Sequence, residues 1–316
     1  TQLARQRREG QLEVAFSPDP RLDAMRERGL QHEQAYIETL RSEGRAICDL
    51  REERDPAATR RAMEAGFDAI VQATLRDDMF SGVADVLLRV DNPKSPLPGY
   101  AYEPADTKLS LETKAGTILQ LCTYAELLES VQGVAPEHVH VVTPLGQESY
   151  RTTQFDAYYR LARSRLHAAV TATPAPSTYP NPVSHCDTCI YWRHCDRQRR
   201  VDDHPSLIAG IRTAQVREFQ QQGLPTVAVI AADEGRLPAK PKRGAADTYL
   251  RLGQQARLQV ESRGAVLPKV EALALAASCG LARLPEPSAG DIFLDFEGDP
   301  FVSPHGLEYL TGVCTR

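Results

Sequence analysis

Lysine is scarce in this sequence. Of 37 basic residues only those at 94, 108, 114, 240, 242 and 269 are Lys, and the rest are Arg, so a Lys inside a strand-like run stands out. There is no surplus of positive charge either. The 37 basic residues stand against 42 acidic ones, for a net charge of −5, whereas a constitutive duplex binder usually has a binding domain of pI above about 9. That balance leaves open an enzyme that grips nucleic acid locally. No apolar run approaches the ~18 residues of a membrane span. Residues 1–13, TQLARQRREGQLE, are polar and Arg-rich and do not read as a secretory leader. A cytoplasmic protein with no membrane partner is expected. Cysteine is sparse, with seven at 48, 122, 186, 189, 195, 279 and 314, and the odd count and irregular spacing argue against a secreted disulfide framework. What is present is an ordinary globular composition, 42% hydrophobic and 25% charged, with apolar surface enough for a core. At 316 residues the chain has room for about two domains.

Periodicity sets the order of elements. Residues 21–43 read as a helix with Leu30, Ile37 and Leu40 apolar and Gly44 as its stop. A second helix starts at Asp55 as N-cap, with Pro56 at its first position, and ends at Gly66. The period then changes to that of strands, over FDAIVQATL (67–75), GVADVLLRV (82–90) and YAYEPADTKL (100–109). A helix over 117–132 closed by Gly133, a strand over 138–145 and a helix over 155–170 follow. This predicts a mixed α/β sheet flanked by helices. A Pro-rich connector spans 173–183, residues 205–262 read as short-looped helices, and 233–244 and 284–290 read as linkers. A new strand, DIFLDFEGD, begins at 291, and too few residues follow to fold alone. The start at Thr1 and the stop at Arg316 suggest a segment of a longer protein.

Three residues carry the first chemical signal. Asp85 lies inside the apolar strand GVADVLL, and Asp106 and Lys108 share one face of the next strand at i and i+2. Charges on an apolar strand are costly unless paired or metal-bound. Carboxylates from adjacent strands form an oxygen site suited to Mg²⁺ or Mn²⁺, beside which a Lys can orient or deprotonate water. The plainer reading is an Asp–Lys salt bridge at a sheet edge. Pro104 implies a bulge or edge just before Asp106. Gln120 and Tyr124 stand at i and i+4 of the following helix, and His32, with Glu33 beside it, lies in the first helix.

In this order the elements resemble the RecB-like branch of the PD-(D/E)XK nuclease superfamily. The matching residues are the His of GLQHE (29–33), the Asp of GVAD (82–85), DTK (106–108), and the Gln and Tyr of QLCTY (120–124), within about residues 20–170. The resemblance implies an αβββαβ nuclease core and metal-dependent hydrolysis of DNA, single-stranded or at duplex ends. It implies Asp85 and Asp106 as metal ligands, helped by His32 and the Thr107 carbonyl. Lys108 would serve the attacking water, and Gln120 and Tyr124 would support the site or the DNA backbone. The long interval from Asp85 to Asp106 suggests a longer hairpin than in tighter members.

A second signal is Cys186-x2-Cys189-x5-Cys195. Thiolates at this density favour zinc or an iron–sulfur cluster. Three are one short of four, and His185 or His194 could complete a zinc site despite adjoining cysteines. Some RecB-like members carry a similar C-terminal triplet, joined by one upstream Cys to hold a [4Fe–4S] cluster that staples the domain. By that resemblance the cluster is expected first and Zn²⁺ second. The fourth ligand would lie before Thr1, with Cys48 a weaker candidate and Cys122 a packing residue. Arg193, Arg197, Arg199 and Arg200 follow, as either a solvated helix face or a phosphate-contacting edge. Residues 208–231 resemble a degenerate helix-hairpin-helix with Gly210 at a tight turn, or a plain helical spacer. Asp295 and Glu297 share a strand face and resemble the first motif of DEDD-type, RNase H-like exonucleases.

The whole order resembles bacterial proteins that join a RecB-like nuclease to a YprB-like exonuclease domain, often ahead of a helicase. The expected domains are a nuclease with its Cys cluster over 1–204, a helical module over 205–284, and the start of an exonuclease domain over 290–316. The alternatives are a nuclease-shaped DNA-binding module that cannot cut, and a zinc-bound scaffold for a helicase.

Overall fold

The computed structural model describes residues 2–12, 14, 20–92, 94–232, 241–272, 280–299 and 306–315. Cys279 and most of the expected 233–244 linker lie outside these. In chain order the elements begin with α1 (Gln2–Arg8), α2 (Pro20–Ser42), β1 (Ile47–Asp49), α3 (Pro56–Glu64), β2 (Ala69–Arg76), β3 (Ser81–Asp91) and β4 (Tyr100–Thr107). They continue with α4 (Ala115–Gln132), β5 (His138–Thr143), β6 (Gly146–Arg151), α5 (Asp156–Thr171), α6 (Trp192–Val201) and α7 (Thr213–Gln221). The last are α8 (Val227–Ala232), α9 (Ala246–Glu261), β7 (Ile292–Asp299) and β8 (Leu307–Thr315). Among the described residues no helix is long and apolar enough to cross a membrane.

The chain divides into two compact units, Pro18–Ala172 with Leu294–Val313, and Thr1–Ser17 with Thr173–Phe293 and Cys314–Arg316. The first unit is built on one mixed sheet in the order β1-β2-β3-β4-β5-β6. Pairs β1–β2 and β4–β5 are parallel, and β2–β3, β3–β4 and β5–β6 are antiparallel. Ile37 and Leu40 of α2 pack on one face against Ala69, Val71, Val86, Leu88 and Ala105. Met63 of α3 and Leu121 and Leu128 of α4 pack on the other, against Ile70, Leu75, Leu87 and Tyr102. The local signals act as expected. Asp55 accepts the Ala57 N–H at 3.2 Å ahead of Pro56, and Gly133 closes α4 in the left-handed region at φ 71°.

Several expectations needed revision. Helix α1 and strands β1 and β6 are additional elements. Leu30 is 67% exposed rather than part of the apolar face of α2. Of the bulge or edge expected at the proline, the edge is what the structure has, and no bulge accompanies Pro104. It pairs in register with Leu87, and no residue is skipped between Tyr100↔Asp91 and Ala105↔Val86. Pairing of β4 with β5 starts only at Ala105, so the proline sits where no ladder with β5 has begun.

At that position the sheet carries a buried carboxylate. Glu103, 5% exposed, accepts the His138 backbone N–H at 2.8 Å and lies 2.9 Å from His140 Nε2. Burial pushes its carboxyl up, but these bonds and the two imidazoles outweigh burial and hold it below the ordinary value. A depressed carboxylate stabilises the fold above the unfolded value of about 4.3 and loses that contribution as pH falls through the folded value. Glu103→Gln is therefore expected to cost about 1–3 kcal/mol at pH 7 and to flatten the acid limb of stability. Thermal unfolding between pH 3 and 7 tests this, and a parallel acid limb in the variant would contradict it.

The second unit has its own core of Ile208, Phe219, Leu224, Val227, Ile230, Tyr249, Leu252 and Ala256, drawn largely from α7, α8 and α9. Gly210 takes φ 78° between a 3-10 turn, Pro205–Leu207, and α7. The turn that joins α7 to α8 is at Gly223, φ 76°. Strands β7 and β8 form a separate two-stranded sheet.

Candidate active site

Alternation along a strand sends successive side chains to opposite faces. Strand β2 breaks that rule once. Ile70 faces α3 and α4, Val71 faces α2, and then Ala73 and Leu75 again face α3 and α4. Strand β3 breaks it too, since Val86 and Leu88 face α2 while both Leu87 and Ala84 face α4. The break falls at Gln72 and Asp85, opposite positions in a register that runs evenly from Ala69↔Leu88 to Arg76↔Ser81. Gln72 has φ 55°, a left-handed backbone inside a strand, which costs about 1–3 kcal/mol for a non-glycine residue. This local twist is what places a carboxylate in the middle of GVADVLL without putting it into the apolar core.

On the other side of β3, the register Val86↔Ala105 continued by one step sets Asp85 across from Asp106. Asp85 Oδ2 accepts the Thr107 backbone N–H at 2.8 Å and the Thr107 hydroxyl at 3.0 Å. Asp106 is 1% exposed. Its Oδ1 accepts from Gln120 Nε2 at 3.3 Å, while its Oδ2 carries no hydrogen bond and forms an ion pair with the Lys108 ammonium. Burial pushes the Asp106 carboxyl well up, Asp85 adds to the rise, and Lys108 opposes it. Lys108 Nζ also donates to the Thr107 carbonyl at 3.3 Å. Gln120 Nε2 donates to the Tyr124 hydroxyl at 2.9 Å, and burial raises the Tyr124 hydroxyl. Thus Asp85, Asp106, Thr107, Lys108, Gln120 and Tyr124 form one connected set.

His32 stands apart from that set in its contacts. Its Nε2 lies 3.1 Å from the Val142 carbonyl on β5, which also accepts the Lys108 backbone N–H at 2.9 Å. The adjacent Glu33 is the acidic residue of α2 that faces the carboxylates. It is 7% exposed and accepts from Gln72 Nε2 at 2.9 Å. Burial raises its carboxyl, Asp85 raises it further, and Gln72 and Arg51 act in the opposite direction. The sequence places Glu33 beside His32 without assigning it a role, and gives no sign of Gln72. A groove of about 380 Å³ reaches this pair, with Arg51 and Arg54 on its wall. Arg54 has no ion-pair partner among the described residues.

Gly82 fixes where Tyr124 can lie. A Cβ built on it would stand 2.5 Å from Tyr124 Cε1, and the ring is 7% exposed. Gly82→Ala is expected to destabilise the unit by about 1–3 kcal/mol through overpacking and to pull Tyr124 off Gln120, lowering any activity that depends on Asp106. Melting temperature and turnover measured together check this. An unchanged melting temperature would mean that the ring is not confined there.

The cysteines divide between the two units. Cys48 lies on β1 and Cys122, buried on α4, has its thiol pushed up to about 11 by burial. In the second unit Cys186 lies in a 3-10 turn, Ser184–Thr188, Cys189 follows it, and Cys195 lies on α6. Burial raises the Cys195 thiol, Arg199 opposes that, and Cys189 and Cys186 add to it. Among the described residues no group of three or more His, Cys, Asp or Glu side chains is assembled as an ion cage. Asp295 and Glu297 are both exposed on β7.

No protein-family model matches the chain, and no curated protein matches it.

Proposed function

We propose that this chain is a metal-dependent DNA nuclease of RecB-like, PD-(D/E)XK type. The observation that carries the reading is the convergence of Asp85, Asp106 and Lys108 at the one level where β2 and β3 lose phase. A twist of this kind is costly to keep, and its effect is to set two carboxylates and an ammonium side by side.

The donor set suits Mg²⁺ or Mn²⁺. Mg²⁺ is usually held by one or two carboxylates, with water and substrate phosphate completing its shell, so two Asp side chains and the Thr107 carbonyl meet the requirement without a closed cage. The buried Oδ2 of Asp106, which has no hydrogen bond and only the Lys108 ammonium as counter-charge, is the kind of atom such an ion satisfies. His32, with Nε2 at the Val142 carbonyl, would join this shell through Nδ1. A bound divalent ion supplies positive charge to the phosphodiester and acidifies water.

The chain's own residues do the positioning. Thr107 fixes Asp85 through two hydrogen bonds, and Gln120, braced by Tyr124, fixes Asp106. Lys108 Nζ, with its side chain one-third exposed at 35%, can donate to the attacking water or to a phosphate oxygen. Hydrolysis then yields a phosphate monoester and a hydroxyl. Arg51 and Arg54 give the neighbouring groove a wall for strand phosphates.

The expected result is cleavage of labelled single- or double-stranded DNA that requires Mg²⁺ or Mn²⁺ and stops with chelator. Absence of cleavage by folded protein that still binds DNA would replace the nuclease with a binding module. The proposal extends to Cys186, Cys189 and Cys195 as three thiolate ligands of a [4Fe–4S] cluster, with Zn²⁺ as the competing occupant. Iron, sulfide and zinc analysis of protein purified without oxygen separates the two, and neither metal present would remove this part. Asp295 and Glu297 would be half of a DEDD-type site completed by other chain segments.

A further inference from the structure

The only tryptophan of the sequence, Trp192, is 46% exposed at the first position of α6. An indole half in solvent has a face available for stacking against another planar group. Its surroundings are cationic. The Arg193 guanidinium lies 5.6 Å from the indole centroid, and Arg193, Arg197 and Arg200 follow at i, i+4 and i+7 spacing, one stripe of the helix. Trp192, these three arginines, Asp196 and Val201 line one open groove of about 590 Å³.

The four arginines of α6 are not equivalent. Arg199 is 8% exposed and donates to the Pro180 carbonyl at 3.0 Å, so it anchors the helix. Arg200 pairs through Nε with Asp196 at 2.7 Å. Arg197 has no ion-pair partner among the described residues. The stripe thus offers guanidinium groups along about 10 Å of helix at 1.5 Å per residue, next to a flat π-face.

We infer that this face of α6 is a single-strand nucleic-acid platform, with a base stacked on Trp192 and flanking phosphates on Arg193, Arg197 and Arg200. An aromatic ring with adjacent cations is how single strands are held without base-specific hydrogen bonds. A duplex keeps its bases stacked internally and has none to offer the indole, and an acidic peptide has no base to stack. The inference stands whether or not Asp85 and Asp106 support cleavage.

Trp192 reports on its own occupancy, because no other tryptophan contributes to the emission. The full chain is titrated with oligothymidylate in EDTA, with labelled-oligomer anisotropy measured in parallel. Saturable quenching is expected, weakening with salt by a slope of about −0.7 per phosphate contact. Arg197→Ala should flatten that slope by about 0.7, and Trp192→Ala should weaken binding about tenfold, each with an unchanged circular dichroism spectrum. Trp192→Phe should keep most of the affinity. Binding by anisotropy with constant Trp192 emission, no binding at all, or equal quenching by polyglutamate would each overturn the platform. Cleavage in Mg²⁺ is scored separately. A protein that cuts without quenching keeps the carboxylate site and loses the platform, and the reverse result loses only the nuclease.

Discussion

Asp106→Asn is expected to lower cleavage by about three orders of magnitude while raising thermal stability. Both signs follow from the same surroundings. Asp106 is buried, faces Asp85 across the strand pair and leaves Oδ2 without a hydrogen bond. A charge so placed is held against desolvation and like-charge repulsion. Removing it leaves Lys108 able to reach solvent, since its side chain is 35% exposed. Each kcal/mol relieved at Asp106 should raise the melting temperature by about 2–4 °C. Cleavage falls because the electrostatic help of a bound cation amounts to several kcal/mol, with each ~1.36 kcal/mol a factor of ten. A structural salt bridge predicts the opposite pattern, with lower stability and no dependence of any activity on this residue. Turnover and melting temperature on one preparation distinguish the two, and a variant that melts lower and cuts normally would make Asp106 a structural residue and remove it from the cutting site.

The parts of this site that sequence reveals are those fixed by short spacing. Asp106 and Lys108 share a face because strands repeat every two residues, and Gln120 and Tyr124 because helices repeat near four. Asp55-Pro56 and Gly133 mark helix ends for reasons contained in one or two residues. Gln72 and Glu33 escape such reading. Nothing in AIVQATLR marks Gln72 as left-handed, since that backbone is imposed by two strands changing phase together. Glu33 looks like any helical glutamate until α2 is laid across the sheet. Strand β6, GQESYR, has no apolar alternation because it is an exposed edge held by pairing with β5. Leu30 matches the helical period and is nonetheless exposed, because the sheet face under α2 takes up Ile37 and Leu40 instead. The Cys spacing sets proximity along the chain and leaves the geometry of the thiols open.

Lys108→Ala is expected to reduce cleavage by about 10²- to 10⁴-fold, the range for removing a positioned proton donor or acceptor, in a protein that still folds. Its effect on stability should have the sign opposite to that of Asp106→Asn. Without the ammonium, the Asp106 carboxylate remains buried beside Asp85 with its counter-charge gone, and half of a buried pair is worse than none. The double variant should recover much of that stability, since the stranded charge is gone as well. Its activity should be little below that of either single variant, because residues acting as one unit lose function together rather than additively. Four proteins and two measurements thus separate a catalytic pair from a decorative one. If Lys108→Ala cuts at the parent rate, the ammonium does no more than neutralise Asp106, and the attacking water must be oriented by another group.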